Sequence, residues 1–309
     1  MSNETRIVKR TDTSFDVLGN AVGLEIEVLQ DFSSTVHEEF TAGGSVWMTG
    51  TDSSVYDEYD NFRGYEYRCK TTMDNALNAI NGLYAHLRLF GAILFNTSCG
   101  MHVHVNFPFA HTNIRAALLL RKILYYVGYA EKALYISTGS PQRANGRYAK
   151  AIEHLMAYTK DFDFETTGEV NDFLDAMREI CTKYQSVNFT PLLRRYYESV
   201  GSYKRTIEFR FPEGTESINR IELYLAIISA LVGKASVSKR CTPALYARHA
   251  HVQNMETPLQ TTDRVLRQFG IVPGNENSRY GIVTPQNRKR ICATARDLAE
   301  TYAQVDLYL

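Results

Sequence analysis

The chain has 309 residues, of which 44% are hydrophobic and 22% charged, a composition typical of a globular protein with a sizeable core. Its 34 Lys and Arg residues balance its 34 Asp and Glu residues, so no general attraction to nucleic acid or to an anionic membrane is expected. No apolar run approaches the roughly 20 residues that span a bilayer. The polar N-terminus "MSNETRIVKR" and five scattered cysteines predict a cytoplasmic protein with reduced thiols.

The first predicted element is a buried strand, "VGLEIEVLQ", at residues 22–30. Successive strand side chains point to opposite faces, so Glu25 and Glu27 must share one face while Val, Leu and Ile fill the other. The acids therefore face either water or something cationic.

Further predicted elements follow in chain order. Residues 31–61 are expected to form a hairpin or a long loop, and a strand follows at 62–70. Apolar spacing predicts helices over 73–91, 111–136, about 169–181 and 218–235, with Thr71 or Thr72 capping the first and Ser217 the last. Strands are predicted at 100–108, 184–189 and 205–211, and a polar loop at 137–150. The remainder to Leu309 is expected to be helical, broken by a loop at 274–290.

Four of the predicted strands present polar residues two positions apart. The pairs are Glu25 with Glu27, Glu66 with Arg68, His102 with His104, and Glu208 with Arg210. If the four polar faces converge, one side of the sheet collects carboxylates that resist ionisation until counter-charge arrives. An oxygen-rich set with few imidazoles suits Mg²⁺ or Mn²⁺, and an arginine beside it suits a phosphoryl group.

Each pair also has an ordinary structural interpretation. The two glutamates could form a solvated strand face, His102 and His104 could be hydrogen-bonded strand histidines, and Glu208 with Arg210 could be a cross-strand ion pair. The joint occurrence on four strands favours a common site. A basic and aromatic segment at 194–205 could be solvated or could line a substrate groove.

These stretches resemble the amidoligases, carboxylate-amine ligases related in fold to glutamine synthetase and glutamate-cysteine ligase. The resemblance lies in "GLEIEV", "WMTGTDSS", "GYEYR", "CGMHVHVNF", "SPQRANGRYAK", "KYQSVNF" and "RTIEFRFPEGT", which occur in the expected order between residues 23 and 215. Residues 236–309 carry no motif of this kind.

The resemblance implies an α+β protein with a curved, mainly antiparallel sheet, helices on its convex face and a glutamine-synthetase-like catalytic fold. It implies a catalytic domain at residues 1–235, on which a mostly helical C-terminal extension, 236–309, packs. It further implies an ATP-dependent ligase that uses Mg²⁺ or Mn²⁺ and forms an amide through an acyl phosphate. Its partners would be small-molecule or peptide carboxylates and amines, without nucleic acid or membrane, and the chain could form homo-oligomers.

The resemblance also assigns roles to residues. The implied metal ligands or their close supports are Glu25, Glu27, Glu66, His102, His104 and Glu208. The implied catalytic residues are Glu208, Arg210, Arg143 and Lys183. The implied ATP-binding residues are Arg210, Lys183, Asn188, Arg143 and Tyr148. Two features depart from the family pattern: Lys183 stands where an arginine is usual, and Arg68 adds an unexpected charge beside Glu66.

Two alternative functions remain open. A zinc hydrolase could be built around His102, His104 and a carboxylate, since paired histidines are common in such sites. A non-catalytic assembly protein could retain the fold, for which the 20 tyrosines and the unmatched C-terminal part give mild support.

Overall fold

An eight-stranded sheet, curled into an antiparallel half-barrel, organises the α+β fold of the computed structural model. The structure describes residues 12–31, 36–58, 61–108, 113–138, 141–144, 147–152, 155, 158–159, 166–193, 205–238, 256–272 and 282–302. The strands are β1 (Ala21–Asp31), β2 (Glu39–Ala42), β3 (Ser45–Tyr56), β4 (Phe62–Thr72), β5 (Ile93–Leu94), β6 (Met101–Asn106), β7 (Val187–Asn188) and β8 (Thr206–Phe209).

Strand β1 lies in the middle of the sheet, whose order is β2-β3-β4-β1-β6-β8-β7, and the short β5 also pairs with β1. β1 and β4 pair along their whole length, from Ala21 opposite Thr72 to Asp31 opposite Phe62. All of these strand pairs are antiparallel. The predicted antiparallel sheet is confirmed, and its central strand is the one that carries Glu25 and Glu27.

The helices supply much of the hydrophobic core. They are α1 (Ala76–Phe90), α2 (Asn113–Ser137), α3 (Pro141–Ala144), α4 (Thr167–Ile180), α5 (Thr190–Leu193), α6 (Ile218–Val237), α7 (Pro258–Gln268) and α8 (Pro285–Thr301). Val22, Leu24 and Ile26 of β1 belong to the same buried cluster as apolar side chains of α1, α2 and α6. Among the described helices, none combines the length and the apolar character needed to cross a membrane.

Three predicted boundaries are wrong. Thr72 still pairs with Ala21 in β4, so α1 begins only after a turn and its N-cap is Asn75, not Thr71 or Thr72. The predicted loop at 274–290 overlaps α8, because Thr284 caps a helix that begins at Pro285. The predicted loop at 137–150 likewise contains the short helix α3. The N-cap of α6 is Ser217 as predicted, although its side chain makes no capping hydrogen bond.

The C-terminal part of the chain packs onto the same core. Helices α7 and α8 begin with capping boxes at Thr257 and Thr284. Buried side chains of both helices, including Leu266 and Ile291, join the core cluster that contains α2 and α6. The division of the chain at residue 235 remains a prediction.

The hairpin between β2 and β3 packs closely against α1, and glycines make this close approach possible. Gly43 and Gly44 turn the chain with φ of 57° and 71°, a conformation that L side chains rarely adopt. Gly82 of α1 lies so close to this turn that a Cβ atom there would be 2.1 Å from the Gly43 nitrogen. The contact is therefore between two backbone segments. Neither partner has a flexible side chain that could move to relieve a clash.

We expect Gly82→Ala to destabilise the fold by about 1–3 kcal/mol, because the added methyl group has no space. The sign of the change in unfolding free energy is informative, because glycine to alanine in an open helix position stabilises a protein by about 1 kcal/mol. Urea unfolding measures the change, and Asn81→Ala at the exposed neighbouring position is the control. A stabilised Gly82→Ala variant would show that α1 does not pack on the turn as described.

Candidate functional site

Strand register brings the predicted acids and histidines onto one face of the sheet, called here the polar face. Glu25 lies opposite His102, and Glu27 lies opposite Glu66. His104 lies opposite Glu208, which in turn lies opposite Asn188. Directly opposed residues of antiparallel strands point to the same side. The polar face therefore collects side chains from β1, β4, β6, β7 and β8, as the alternation of the sequence predicts.

Glu25, His104 and Glu208, called here the metal triad, form a group of potential metal ligands within the described residues. One ligand atom from each lies within 4.8 Å of the others. The Nε2 atom of His104 is 2.9 Å from a carboxylate oxygen of Glu25 and 3.9 Å from one of Glu208. His104 and Glu208 are buried, with 7% and 4% of their surface exposed.

His102 and Glu27 lie beside the metal triad. The Nδ1 atom of His102 is 3.4 Å from Glu25 and 3.5 Å from Glu208, and its Nε2 atom is 3.6 Å from Glu27. Glu27 also accepts a 2.6 Å hydrogen bond from the backbone N–H of Gly100. These two residues, both predicted as ligands or supports, link the metal triad to the start of β6.

Glu208 is held in place from two sides. The Asn188 amide donates a 2.6 Å hydrogen bond to one carboxylate oxygen, and the Arg210 guanidinium forms a close ion pair with the other. The Nε atom of Arg210 also donates to the backbone carbonyl of Tyr148 at 3.3 Å. Arg210, Asn188 and Tyr148 therefore lie beside the metal triad, and their role in binding ATP remains a prediction. The Asn188 side chain contacts Glu208 and also accepts from Thr190, whereas Tyr148 meets Arg210 through its backbone carbonyl.

The remaining predicted residues lie around this centre. Arg143 is buried and donates to the carbonyls of Cys99 and Arg210, at 2.9 and 3.3 Å. Lys183 is exposed, with its ammonium 5.2 Å from the ring centroid of Tyr184. Arg68 contacts Glu66 at 3.4 Å, which gives this unexpected charge a partner. Asn145, another residue of the family motif, lies outside the described residues.

The charges of the site shift its carboxyl pKa values in opposite directions. Burial alone would raise the pKa of Glu25 and Glu208, but nearby His102 and His104 outweigh it and hold both pKa values below the usual range. Burial, together with the negative charge of Glu25, raises the pKa of Glu66 to about 7. Glu66 is therefore the acid whose charge the protein compensates least.

The site fits a divalent cation. The Nε2 atom of His102 and the Nδ1 atom of His104 are buried and make no hydrogen bond within the described structure, and His104 Nε2, although 2.9 Å from Glu25, is poorly aligned for one. Buried polar atoms are nearly always hydrogen-bonded, so these nitrogens and the adjacent carboxylates suit a positively charged ligand. Two carboxylates with one imidazole form the oxygen-rich donor set that Mg²⁺ and Mn²⁺ prefer.

Glu131 is a supporting residue that the sequence analysis did not single out. It lies buried in α2, where its carboxylate accepts hydrogen bonds from the Ile152 backbone N–H at 3.0 Å and the Ser186 hydroxyl at 2.6 Å. The carbonyl of Ser186 accepts from the Arg210 N–H at 2.8 Å. An acid within the apolar stretch "YYVGYAEKALYIS" was the available signal.

Residues 10–232 match a family model described as "Putative amidoligase enzyme". The chain belongs to the amidoligase family. The match spans the whole of the polar face, from β1 to β8, and ends within α6. Amidoligases are ligases that form amide bonds, so the family supports an enzyme of this kind. A comparison with curated proteins gives no match.

Neutralising a ligand of the metal triad should weaken cation binding. We expect Glu208→Gln and Glu25→Gln each to lower Mn²⁺ affinity at least about tenfold, because each removes a charged oxygen donor. Titration followed by electron paramagnetic resonance measures free Mn²⁺ directly. The control is Glu216→Gln, at an exposed carboxylate that contacts Arg88. Equal Mn²⁺ affinity in all four proteins would rule out this site.

The raised pKa of Glu66 should make the metal-free protein less stable as pH rises. Between the ordinary glutamate pKa of 4.5 and about 7, the folded state keeps a proton that the unfolded chain has released, so unfolding becomes easier across this window. We expect Glu66→Gln to reduce the fall in melting temperature between pH 5 and 7.5 in EDTA.

Part of the fall in melting temperature should remain in Glu66→Gln, because burial also raises the pKa of Glu213 to about 7. Glu39→Gln, at an exposed carboxyl on β2, is the control. A melting temperature that rises over this range in the unmodified protein would contradict the assignment.

Proposed function

We propose that the protein is an ATP-dependent ligase that joins a carboxylate to an amine through an acyl phosphate. The observation that carries the proposal is the convergence of Glu25, His104 and Glu208, from three different strands, within 4.8 Å of one another. The family match supports amide-bond formation. ATP dependence and the acyl phosphate are the steps that we add.

The chemistry explains the need for ATP. A carboxylate is a poor acyl donor because its leaving group would be an oxide. When a carboxylate oxygen attacks the γ-phosphorus of ATP, the bond from that phosphorus to the β,γ-bridging oxygen breaks, and ADP leaves. The amine then attacks the acyl carbon, the carbon–oxygen bond to phosphate breaks, and the amine gives up a proton as amide and phosphate form. The enzyme's contribution to such transfers is mostly positioning and charge neutralisation.

The residues of the polar face suit those tasks. Arg210 is well placed to contact a transferring phosphoryl group, because its guanidinium reaches the metal triad through Glu208. Asn188 orients the Glu208 carboxylate through its 2.6 Å hydrogen bond. Gly100 does the same for Glu27. Arg143, being buried against two carbonyls, is better suited to fixing the backbone around Cys99 than to binding phosphate.

The metal triad, with Glu27, Glu66 and His102 beside it, would hold Mg²⁺ or Mn²⁺. A divalent cation held there would supply positive charge for the phosphate oxygens of ATP. The negative carboxylates alone would repel ATP, so the same residues both require the cation and place it.

A zinc hydrolase receives less support from the geometry. His104 joins the metal triad through its ring nitrogen, whereas the ring of His102 lies among three carboxylates. Zinc favours thiolates and several imidazoles.

We propose small-molecule or peptide carboxylates and amines as partners, and we retain the cytoplasm as the expected location.

The test of the proposed function is ADP release by the full chain with Mg²⁺, ATP and a panel of carboxylic acids, with hydroxylamine as the amine. Hydroxylamine converts an acyl phosphate into a hydroxamate, which is measured by its iron complex. We expect hydroxamate and ADP in equal amounts, and about a hundredfold lower rate in Arg210→Lys, because lysine cannot form the planar bidentate contact.

Arg290→Lys is the matched control, since Arg290 forms a bidentate pair with Glu222 away from the polar face. ADP release without any hydroxamate would refute the acyl phosphate. Failure to bind ATP in the presence of Mg²⁺ or Mn²⁺ would refute the ligase altogether. Stoichiometric zinc that survives dialysis would favour the hydrolase.

A further inference from the structure

One side chain of the core binds two segments beside the polar face. Glu131 of α2 is buried, with 5% of its surface exposed. One oxygen of its carboxylate accepts from the Ser186 hydroxyl at 2.6 Å, and both oxygens accept from the Ile152 N–H at 3.0 Å. We call residues 148–152 the outer segment and residues 184–188 the β7 segment. Glu131 therefore joins two segments that are distant in the sequence.

The outer segment pairs in parallel with the β7 segment. The Lys150 N–H donates to the Tyr184 carbonyl at 2.8 Å, and the Ser186 N–H donates to the Lys150 carbonyl at 2.7 Å. Each backbone hydrogen bond of this kind contributes only about 1 kcal/mol net. So short a pairing needs further contacts to fix the outer segment in place.

Helix α2 supplies those contacts at two points. Glu131 binds the Ile152 N–H, and the Tyr135 hydroxyl donates to the carbonyl of Ala149. Glu131 and Tyr135 are one helical turn apart, so they lie on the same face of α2. Burial and the negative charge of Glu131 raise the pKa of Tyr135, which keeps its hydroxyl a hydrogen-bond donor. The outer segment is thus held between the β7 segment and α2.

Both segments also contact Arg210. The carbonyl of Ser186 accepts from the Arg210 backbone N–H at 2.8 Å. The carbonyl of Tyr148 accepts from the Arg210 Nε atom at 3.3 Å. The position of the Arg210 guanidinium therefore depends on the outer segment and on the β7 segment, and Glu131 binds both.

We propose that Glu131 is a positioning residue of the ligase, which fixes these two segments and through them directs the Arg210 guanidinium towards the transferring phosphoryl group. This inference rests on the proposed function. Glu131 acts through Arg210, so it affects the rate of phosphoryl transfer and not the affinity of the metal triad for its cation.

A carboxylate suits this position better than an amide of the same size. Hydrogen bonds to a charged acceptor are roughly twice as strong as those to a neutral one. The Glu131 oxygen that binds Ser186 also accepts from Ile152, whereas the other oxygen accepts from Ile152. In Glu131→Gln an NH₂ group would replace the second oxygen and face the Ile152 N–H, which is also a donor. This substitution therefore keeps the volume and weakens the contact.

The first test is a double-mutant cycle in the hydroxamate assay. We expect Glu131→Gln to lower kcat about tenfold and to change KM for ATP less than about twofold, because it weakens a contact of the transition state. In the Arg210→Lys background the same substitution should lower kcat less than about twofold, because the contact through which it acts is already lost. Mn²⁺ affinity should not change.

Glu222→Gln is the matched control. Glu222 is also a buried glutamate of a helix, with 4% of its surface exposed, and its partners are Asn287 and Arg290 of α8. The control should lower the melting temperature and leave kcat within about twofold of the unmodified protein. Ser186→Ala removes the hydroxyl that Glu131 binds but keeps the carbonyl that binds Arg210. It should therefore reproduce part of the loss in kcat.

Hydrogen exchange followed by mass spectrometry tests the positioning without turnover. Glu131→Gln should speed exchange about tenfold in peptides that contain the N–H groups of Ile152, Ser186 and Arg210, because these groups donate within the affected segments. Exchange in peptides from β1 should not change. Glu222→Gln should instead speed exchange in α8.

Unchanged exchange at Arg210, or an equal fall in kcat in both backgrounds, would overturn the proposal. So would an equal fall in kcat in Glu222→Gln, since loss of stability would then explain both variants. Failure of the proposed function gives a different result. Faster exchange at Ile152 and Arg210 in a protein that makes no hydroxamate would refute the ligase only. An active ligase whose kcat is the same in Glu131→Gln would refute the positioning role only.

Discussion

The crowding of carboxylates on one face of the sheet is the constraint on which the site depends. Carboxylates so close together repel one another, and each must find a hydrogen-bond donor or a positive charge. Glu27 has the Gly100 N–H, and Glu208 has Asn188 and Arg210. Glu66 has a half-exposed arginine beside it, but burial and the negative charge of Glu25 still raise its pKa. The protein thus neutralises most of the acids of the site with its own groups. The negative charge that remains is suited to a cation.

A second set of residues, centred on Glu131, holds the side chains of the polar face in position. The carboxylate of Glu131 fixes Ser186 and Ile152, which lie on two separate segments beside the sheet. Ser186 accepts from the Arg210 backbone, and the segment of Ile152 also contains Tyr148, whose carbonyl binds the Arg210 side chain. The buried Glu131 therefore helps to position Arg210 beside Glu208. Such outer contacts affect metal and substrate sites strongly although they touch neither.

The sequence allowed the faces of the strands to be predicted but not their pairing. Alternation in "VGLEIEV" and "GMHVHVNF" is a local property, so the placement of acids and histidines on one face followed directly. Which residue lies opposite which depends on contacts between distant segments, so the pairing of Glu25 with His102 and of His104 with Glu208 could not be anticipated. The start of α1 was predicted too early because pairing of Thr72 with β1 overrides its capping preference.

The family resemblance and the structure also contribute differently. The resemblance assigned both Arg210 and Arg143 to catalysis and to ATP binding. The structure separates them: Arg210 reaches an acid of the metal triad, whereas Arg143 is buried against backbone carbonyls. The unexpected Arg68 likewise gains an explanation, because it lies across from Glu25 and contacts Glu66. Local sequence identifies chemical groups, and tertiary structure determines which of them meet.

The central position of β1 has a consequence for biosynthesis. Its neighbours are β4, which follows soon after it, and β6, while Glu208 arrives only with β8, near the end of the sheet. A growing chain on the ribosome therefore displays Glu25 and Glu27 long before the segment that completes their surroundings exists. The metal triad, which takes Glu208 from β8, is therefore complete only in chains whose synthesis has passed β8.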